Sequence, residues 1–258
     1  MKTPLNDAYF CVTALRAVSY LAINEFNRLY LVETGTCEIV IRILNLHLNE
    51  NEVAVADCAT IRSLAKEDVN KIKLGACEGC EVVVKVLKIH LKDNEVAKQA
   101  CTTIWNLAVI DANTIKFGAS GTCEIVVEAL NFHLDEKEVA KQACAAIVSL
   151  AWNNANKIKF GACGGCEAVV KTLTLHFDEH DVVKQAFEAN VSFALDDGNK
   201  LKIGTCGVCE VVVKALNVHS NEKEVAEQEQ ACAAICNLSW NNQKNKSRLK
   251  ELGAKQLL

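Results

Sequence analysis

Proline is almost missing from this chain: 258 residues contain one, Pro4. Without internal helix breakers the chain can be helical throughout, and an all-β array is disfavoured. Aromatic residues are scarce as well, at 5% against 50% apolar overall. Burial therefore rests on Ala, Val and Leu, which suits close helix-on-helix packing. Charge of one sign is also lacking. A net charge of −4 and a pI near 5.9 give no global field for nucleic acid or an anionic membrane. No apolar run approaches the ~18–20 residues of a membrane span. Asp7 and Arg16 interrupt any early apolar segment and no small-residue cleavage site follows, so no secretory signal is expected. The cytosol is the expected compartment, and the nucleus is compatible with it. Catalytic signatures are absent too. There is no His-Glu dipeptide, no phosphate-cradling Gly-rich loop and no G-x-S-x-G elbow. The expectation is a non-enzyme with no catalytic residue, cofactor or metal.

What the chain does contain is one paragraph written repeatedly. Cys58, Cys101 and Cys144 recur every 43 residues, Leu15 precedes and Phe187 continues the series, and Cys232 follows after 45. His47, His90, His133, His176 and His219 keep the same spacing. A fixed period in this range means a stacked array in which each unit buries its apolar face on its neighbours. The expectation is one continuous solenoid over 1–258, with about five full units and partial units at both ends.

The 14 cysteines fall in repeat-equivalent columns, Cys37, Cys80, Cys123, Cys166 and Cys209 forming a second one. They read as small buried hydrophobes. The C-x-x-C pairs Cys77/Cys80, Cys163/Cys166 and Cys206/Cys209 belong to separate units about 10 Å apart, too far to share a zinc ion. The histidines read as capping and packing residues, each at the end of a helix whose terminal carbonyls it can bond.

Within one unit, Asn70 to Cys77 forms a short helical piece closed by a glycine turn. Cys80 to Leu91 follows with helical apolar spacing at Cys80, Val83, Val84, Leu87 and Leu91. Lys92-Asp93-Asn94 makes a turn with Asp93 or Asn94 as N-cap, and a third helix runs from Glu95 to about Val109. Similar acidic turns stand before the other third helices, at Asn49, Asp135, Asp178 and Asn221.

This pattern resembles the armadillo repeat family. The matching residues are Glu95 to Ala108, then Asn113 and Gly121 to Leu130, with recurrences at Glu138–Trp152 followed by Asn156, and Glu224–Trp240 followed by Asn245. HEAT units usually have two helices with a proline in the first, which is missing here. The resemblance covers essentially the whole chain and implies an all-α, right-handed superhelix of three-helix units. By the same resemblance residues 5–23 are a lone third helix, and Leu252–Leu258 begins a middle helix that breaks off. Either the chain is a piece of a longer array, or its ends are covered by another copy.

The resemblance also implies a concave groove lined by third helices and a protein-binding scaffold. In importin-α-like members, a Trp and an Asn four residues later clamp an extended peptide. Here the Asn position reads Tyr20, Ser63, Asn106, Ser149, Ser192 and Asn237. The Trp position reads Arg16, Ala59, Thr102, Ala145, Glu188 and Ala233. Without aromatic slots, binding of basic signals is not expected. One turn earlier Lys98, Lys141 and Lys184 stand beside Gln99, Gln142, Gln185 and Gln230, a strip suited to an extended acidic segment or simply a solvated helix face. Trp152 and Trp240 are anchors for a partner or pack on the following loop. Nucleic acid is disfavoured by the nearby Glu188, Glu229, Asp111, Asp196 and Asp197. The alternative function is a structural spacer that associates end to end with itself.

Overall fold

The computed structural model describes residues 4–218 and 233–253. Its helices repeat in length as well as in order. After a 3-10 turn at Pro4–Asn6 come α1 (Ala8–Leu21), α2 (Glu25–Glu33), α3 (Thr36–Leu46) and α4 (Asn51–Leu64). Three triplets follow, each of nine, eleven and fourteen residues: α5 (Asp68–Ala76), α6 (Gly79–Ile89) and α7 (Asn94–Leu107); α8 (Asp111–Ala119), α9 (Thr122–Phe132) and α10 (Lys137–Leu150); α11 (Asn154–Ala162), α12 (Gly165–Leu175) and α13 (His180–Phe193). Then come α14 (Asp197–Thr205), α15 (Val208–Val218), a helical stretch over 233–239 (α16) and α17 (Gln243–Glu251). No strand occurs among the described residues. The fold is an all-α solenoid of three-helix units, and α1 packs against the third helix α4.

Third helices stack on third helices, from α1 through α4, α7 and α10 to α13, and second helices stack likewise from α3 to α15. The buried apolar residues from Cys11 to Leu249 form one connected cluster. The cysteine columns lie inside it: Cys37, Cys58, Cys80, Cys101, Cys123, Cys144, Cys166 and Cys209 are all fully buried. Burial pushes the Cys58 and Cys101 thiols up to about 12, so they serve as packing groups and not nucleophiles.

Turn chemistry follows from backbone geometry. Gly35, Gly121, Gly164 and Gly207 join first to second helices with φ between 76° and 92°, a region where a side chain is strained. The same position in the α5–α6 turn is Glu78, at φ 65°. Before the third helices, Asp93 caps α7 by accepting from the Val96 amide at 2.9 Å. In α4, α10 and α13 the N-cap is instead Glu50, Glu136 or Glu179, whose side chain makes no cap bond. The acidic turns thus mark the helix starts, but only the aspartate has the right length to close one.

Side-chain ladders join each unit to the one before it. The histidine rings do not bond the ends of their own helices, as their positions suggest. Nε2 of His47, His90, His133 and His176 instead meets the carbonyl of Leu5, Leu48, Leu91 and Leu134 in the preceding unit, at 2.6–2.7 Å. An asparagine ladder runs alongside. Asn113, Asn156, Asn199 and Asn245 donate to the carbonyls of Lys71, Thr114, Lys157 and Lys200 at 2.8–3.1 Å. Each asparagine lies against a glycine, respectively Gly75, Gly118, Gly161 and Gly204, on which a β-carbon would stand 1.6–1.9 Å from its amide oxygen. A lysine ladder completes the set: Lys73, Lys116, Lys159 and Lys202 donate to the carbonyls of Val32, Gly75, Gly118 and Gly161.

The first junction departs from this pattern. Val32 stands where later units have the notch glycine, and Asn70 donates to Leu64 O, at the end of α4, and to Glu67. A different clamp holds there. Buried Arg28 donates to Glu67 through Nε at 2.7 Å and to the Ala22 carbonyl at 2.7 Å. Hydrogen bonding from Arg28 holds the Glu67 carboxyl below the usual range. His219, Cys232 and the two-residue insertion around Glu227-Gln-Glu-Gln230 lie outside the described residues, as do Leu257 and Leu258.

Candidate interaction groove

The outward face of the third helices has a small-residue floor. Residues at the Trp and Asn positions of the resemblance line up one per unit: Ala59 and Ser63, Thr102 and Asn106, Ala145 and Ser149, Glu188 and Ser192. The floor residues are drawn into the helices themselves. Thr102 and Ser149 are buried, the Thr102 hydroxyl donates to Lys98 O at 2.7 Å, and the Asn106 amide donates to Thr102 O at 3.0 Å. Ser192 does the same with Glu188 O at 2.9 Å. Asn237 is half-buried, and Gln230 lies outside the described residues.

The lysine strip is not a row of free amines. Lys98 pairs with Glu95, which also accepts from Gln99 at 2.9 Å; bonding from Lys98 and then Gln99 lowers the Glu95 pKa. Lys141 reaches into the next unit and pairs with Asp181, whose pKa falls for that reason. Gln99 accepts from Arg62 of the preceding unit at 3.0 Å. Lys184 is exposed and Gln185 half-buried. The Gln142 side-chain oxygen is buried with no partner among the described residues.

Trp152 and Trp240 do not pack on the loops that follow them. They are 82% and 71% exposed at the C-terminal ends of their third helices. Sequence reasoning passed over Trp105, in α7 beside Asn106, which is also exposed. Its position one residue off the groove column hid it, although it lies inside the matched segment. All three tryptophans of the chain therefore face solvent. A recess of about 340 Å³ between α1 and α4, lined by Arg16, Ser19, Tyr20, Val55, Ala56 and Ala59, opens on the same face.

Among the described residues no cluster of His, Cys, Asp or Glu could hold a metal ion, and no helix is long and apolar enough to cross a membrane.

No protein-family model matches the chain, and no curated protein matches it in sequence. Solved structures do match in shape. An engineered protein from the Northeast Structural Genomics Consortium superposes with a TM-score of 0.79 at 24% identity, over 90% of this chain and 92% of that one. A second engineered protein from the same consortium gives 0.60 at 21% identity, over 95% and 68%. A chain from a study of the phosphorylation-controlled interaction between cadherin and beta-catenin gives 0.80 at 17% identity, over 93% of this chain and 46% of that one. This chain thus spans about half the length of that neighbour. These likenesses define the class: a helical-repeat solenoid.

Proposed function

We propose that the chain is an armadillo-type interaction scaffold, a single array over 1–258 without catalytic function, which holds an extended protein segment along its third-helix face. The observation that carries this reading is the exposure of Trp105, Trp152 and Trp240 in a chain so poor in aromatics. A core built from Ala, Val and Leu leaves its largest anchors outside, and exposed indoles beside a small-residue floor are what a partner's side chains can grip. Ion pairing of Lys98 and Lys141 removes the reason to favour an acidic partner; apolar anchors carry the recognition instead.

The test is a pull-down from cytosol with the wild-type chain and a Trp152→Ala/Asn106→Ala variant. Both side chains can be cut without opening the core. Loss of the captured proteins is expected, and an unchanged set rejects this face.

A second reading, association through the ends, rests on α1. Phe10 and Leu21 are 49% and 51% exposed, whereas the equivalent Val53 and Leu64 of α4 are fully buried by the neighbouring unit.

A further inference from the structure

The first helices present an apolar surface that the groove does not use. On α5 the exposed face reads Val69, Ile72, Ala76; on α8 it reads Ala112, Ile115, Ala119; on α11, Ala155, Ile158, Ala162. On α14 Gly198 and Leu201 continue the series. Every central residue is more than half exposed, at 51–60%. These positions lie three or four apart on short helices, so each trio shares one helical face.

The ladders turn the lysines away from the central residues, while the carboxylates of Asp68, Asp111 and Asp197 stand exposed at the helix starts. Lys73, Lys116, Lys159 and Lys202 are turned back onto carbonyls of the preceding unit. Lys71 and Lys200 are held by Asp68 and Asp197 of their own helices at 2.8 and 3.2 Å, and Lys157 by Asn154 at 3.1 Å. Between the acidic helix starts runs a row of branched aliphatic knobs separated by alanines. The second helices differ, because charged residues such as Lys85, Lys88, Glu124, Glu128 and Lys171 interrupt their exposed faces.

We propose that this first-helix edge is a homodimer interface, on which a second copy of the chain lies about a two-fold axis with the two aliphatic rows interdigitating. A row of large residues flanked by small ones is complementary to itself, because each knob finds alanine-lined space on an antiparallel copy. An isologous pairing requires that property. Area supports the same occupant. Together with Phe26 of α2, 81% exposed, the edge offers on the order of 1,000 Å² of mainly apolar side chain, above the ~800 Å² per partner of a stable complex. It also exceeds the ~300–600 Å² of the largest patch on a typical monomer.

The experiment is light scattering and sedimentation velocity on the full chain from about 1 to 100 μM. A dimer mass is expected. Ile115→Glu/Ile158→Glu should return it to a monomer with an unchanged circular dichroism spectrum, and Ala112→Arg/Ala155→Arg should do so without touching the aliphatic row. The groove variant Trp152→Ala should leave the dimer intact, which separates this surface from the one proposed to bind partners. A monomer at every concentration overturns the proposal, even if it binds vesicles or another protein through this edge. So does a dimer that survives both edge variants, or one that dissociates only on Phe10→Glu/Leu21→Glu at the end of the array.

Discussion

Asn156 lies so close across Gly118 that a β-carbon on the glycine would stand 1.9 Å from the amide oxygen. The contact lets one amide serve two carbonyls of the preceding unit, Thr114 O in α8 and Leu150 O at the end of α10, at 3.0 and 3.3 Å. Gly118→Ala should therefore destabilise the array by roughly 2–4 kcal/mol, since the added methyl must expel a buried amide and leave carbonyls unpaired. Denaturant melts would measure this. Adding Asn156→Ala to Gly118→Ala should cost less than the sum of the two single changes, because the clash and the bonds vanish together.

Asp57 is the opposite case, a polar group with no partner. It is fully buried in α4, neither carboxyl oxygen is bonded among the described residues, and the equivalent positions are Ala100, Ala143 and Ala186. Desolvation raises its pKa well above the usual carboxylate range. An acid with a raised folded pKa adds no ionisation penalty below its unfolded pKa near 3.9, where only the cost of burying the neutral carboxyl remains. Above that, the unfolded chain releases the proton first, so stability falls as pH rises until the folded pKa is passed. Asp57→Ala should remove this slope and raise stability at neutral pH by about 1–3 kcal/mol. Melting temperatures of both proteins between pH 4 and 8 would reveal it; parallel curves would refute the assignment.

Glu78 carries strain that its counterparts avoid. Its φ of 65° matches the turn in which other units place glycine. Glu78→Gly should stabilise by about 1 kcal/mol, and Gly164→Glu should destabilise by a similar amount. Chemical denaturation of the two variants would test the pair.

Thiol chemistry offers a check on the core. Cys236 is exposed, while burial pushes Cys58, Cys80, Cys101 and Cys166 up to about 12. Alkylation of the native protein at pH 8, read by peptide mass mapping, should mark Cys236 first and leave those four unmodified until denaturant is added. Early modification of Cys101 would mean that the stack opens.

The three-helix unit was legible because periodicity and turn residues are written along one chain: helix lengths, the Asp93 cap and the buried cysteine columns all follow from local signals. The partners across units were not. The histidine column was plain, yet its spacing alone does not say that His133 bonds Leu91 O and not a carbonyl of its own helix. The Lys98–Glu95 pair, three residues apart on one helix, was legible in the sequence, whereas the Lys141–Asp181 pair joins two units 40 residues apart and was not. Asp57 and Glu78 were discoverable in principle. Setting the units in register would have shown an acid in an alanine column and a glutamate in a glycine column. The exposure of Trp105 depends on which way α7 is rotated, which periodicity alone does not give.

The ladders have one further consequence. The histidine, asparagine and lysine bonds across units each reach back 41–45 residues, to the adjacent unit and no farther. An additional 43-residue copy spliced between α10 and α11 would bring its own asparagine, its own glycine and its own histidine, and would ask nothing new of the rest. Such a molecule can grow by gene duplication, gaining length without renegotiating its interior.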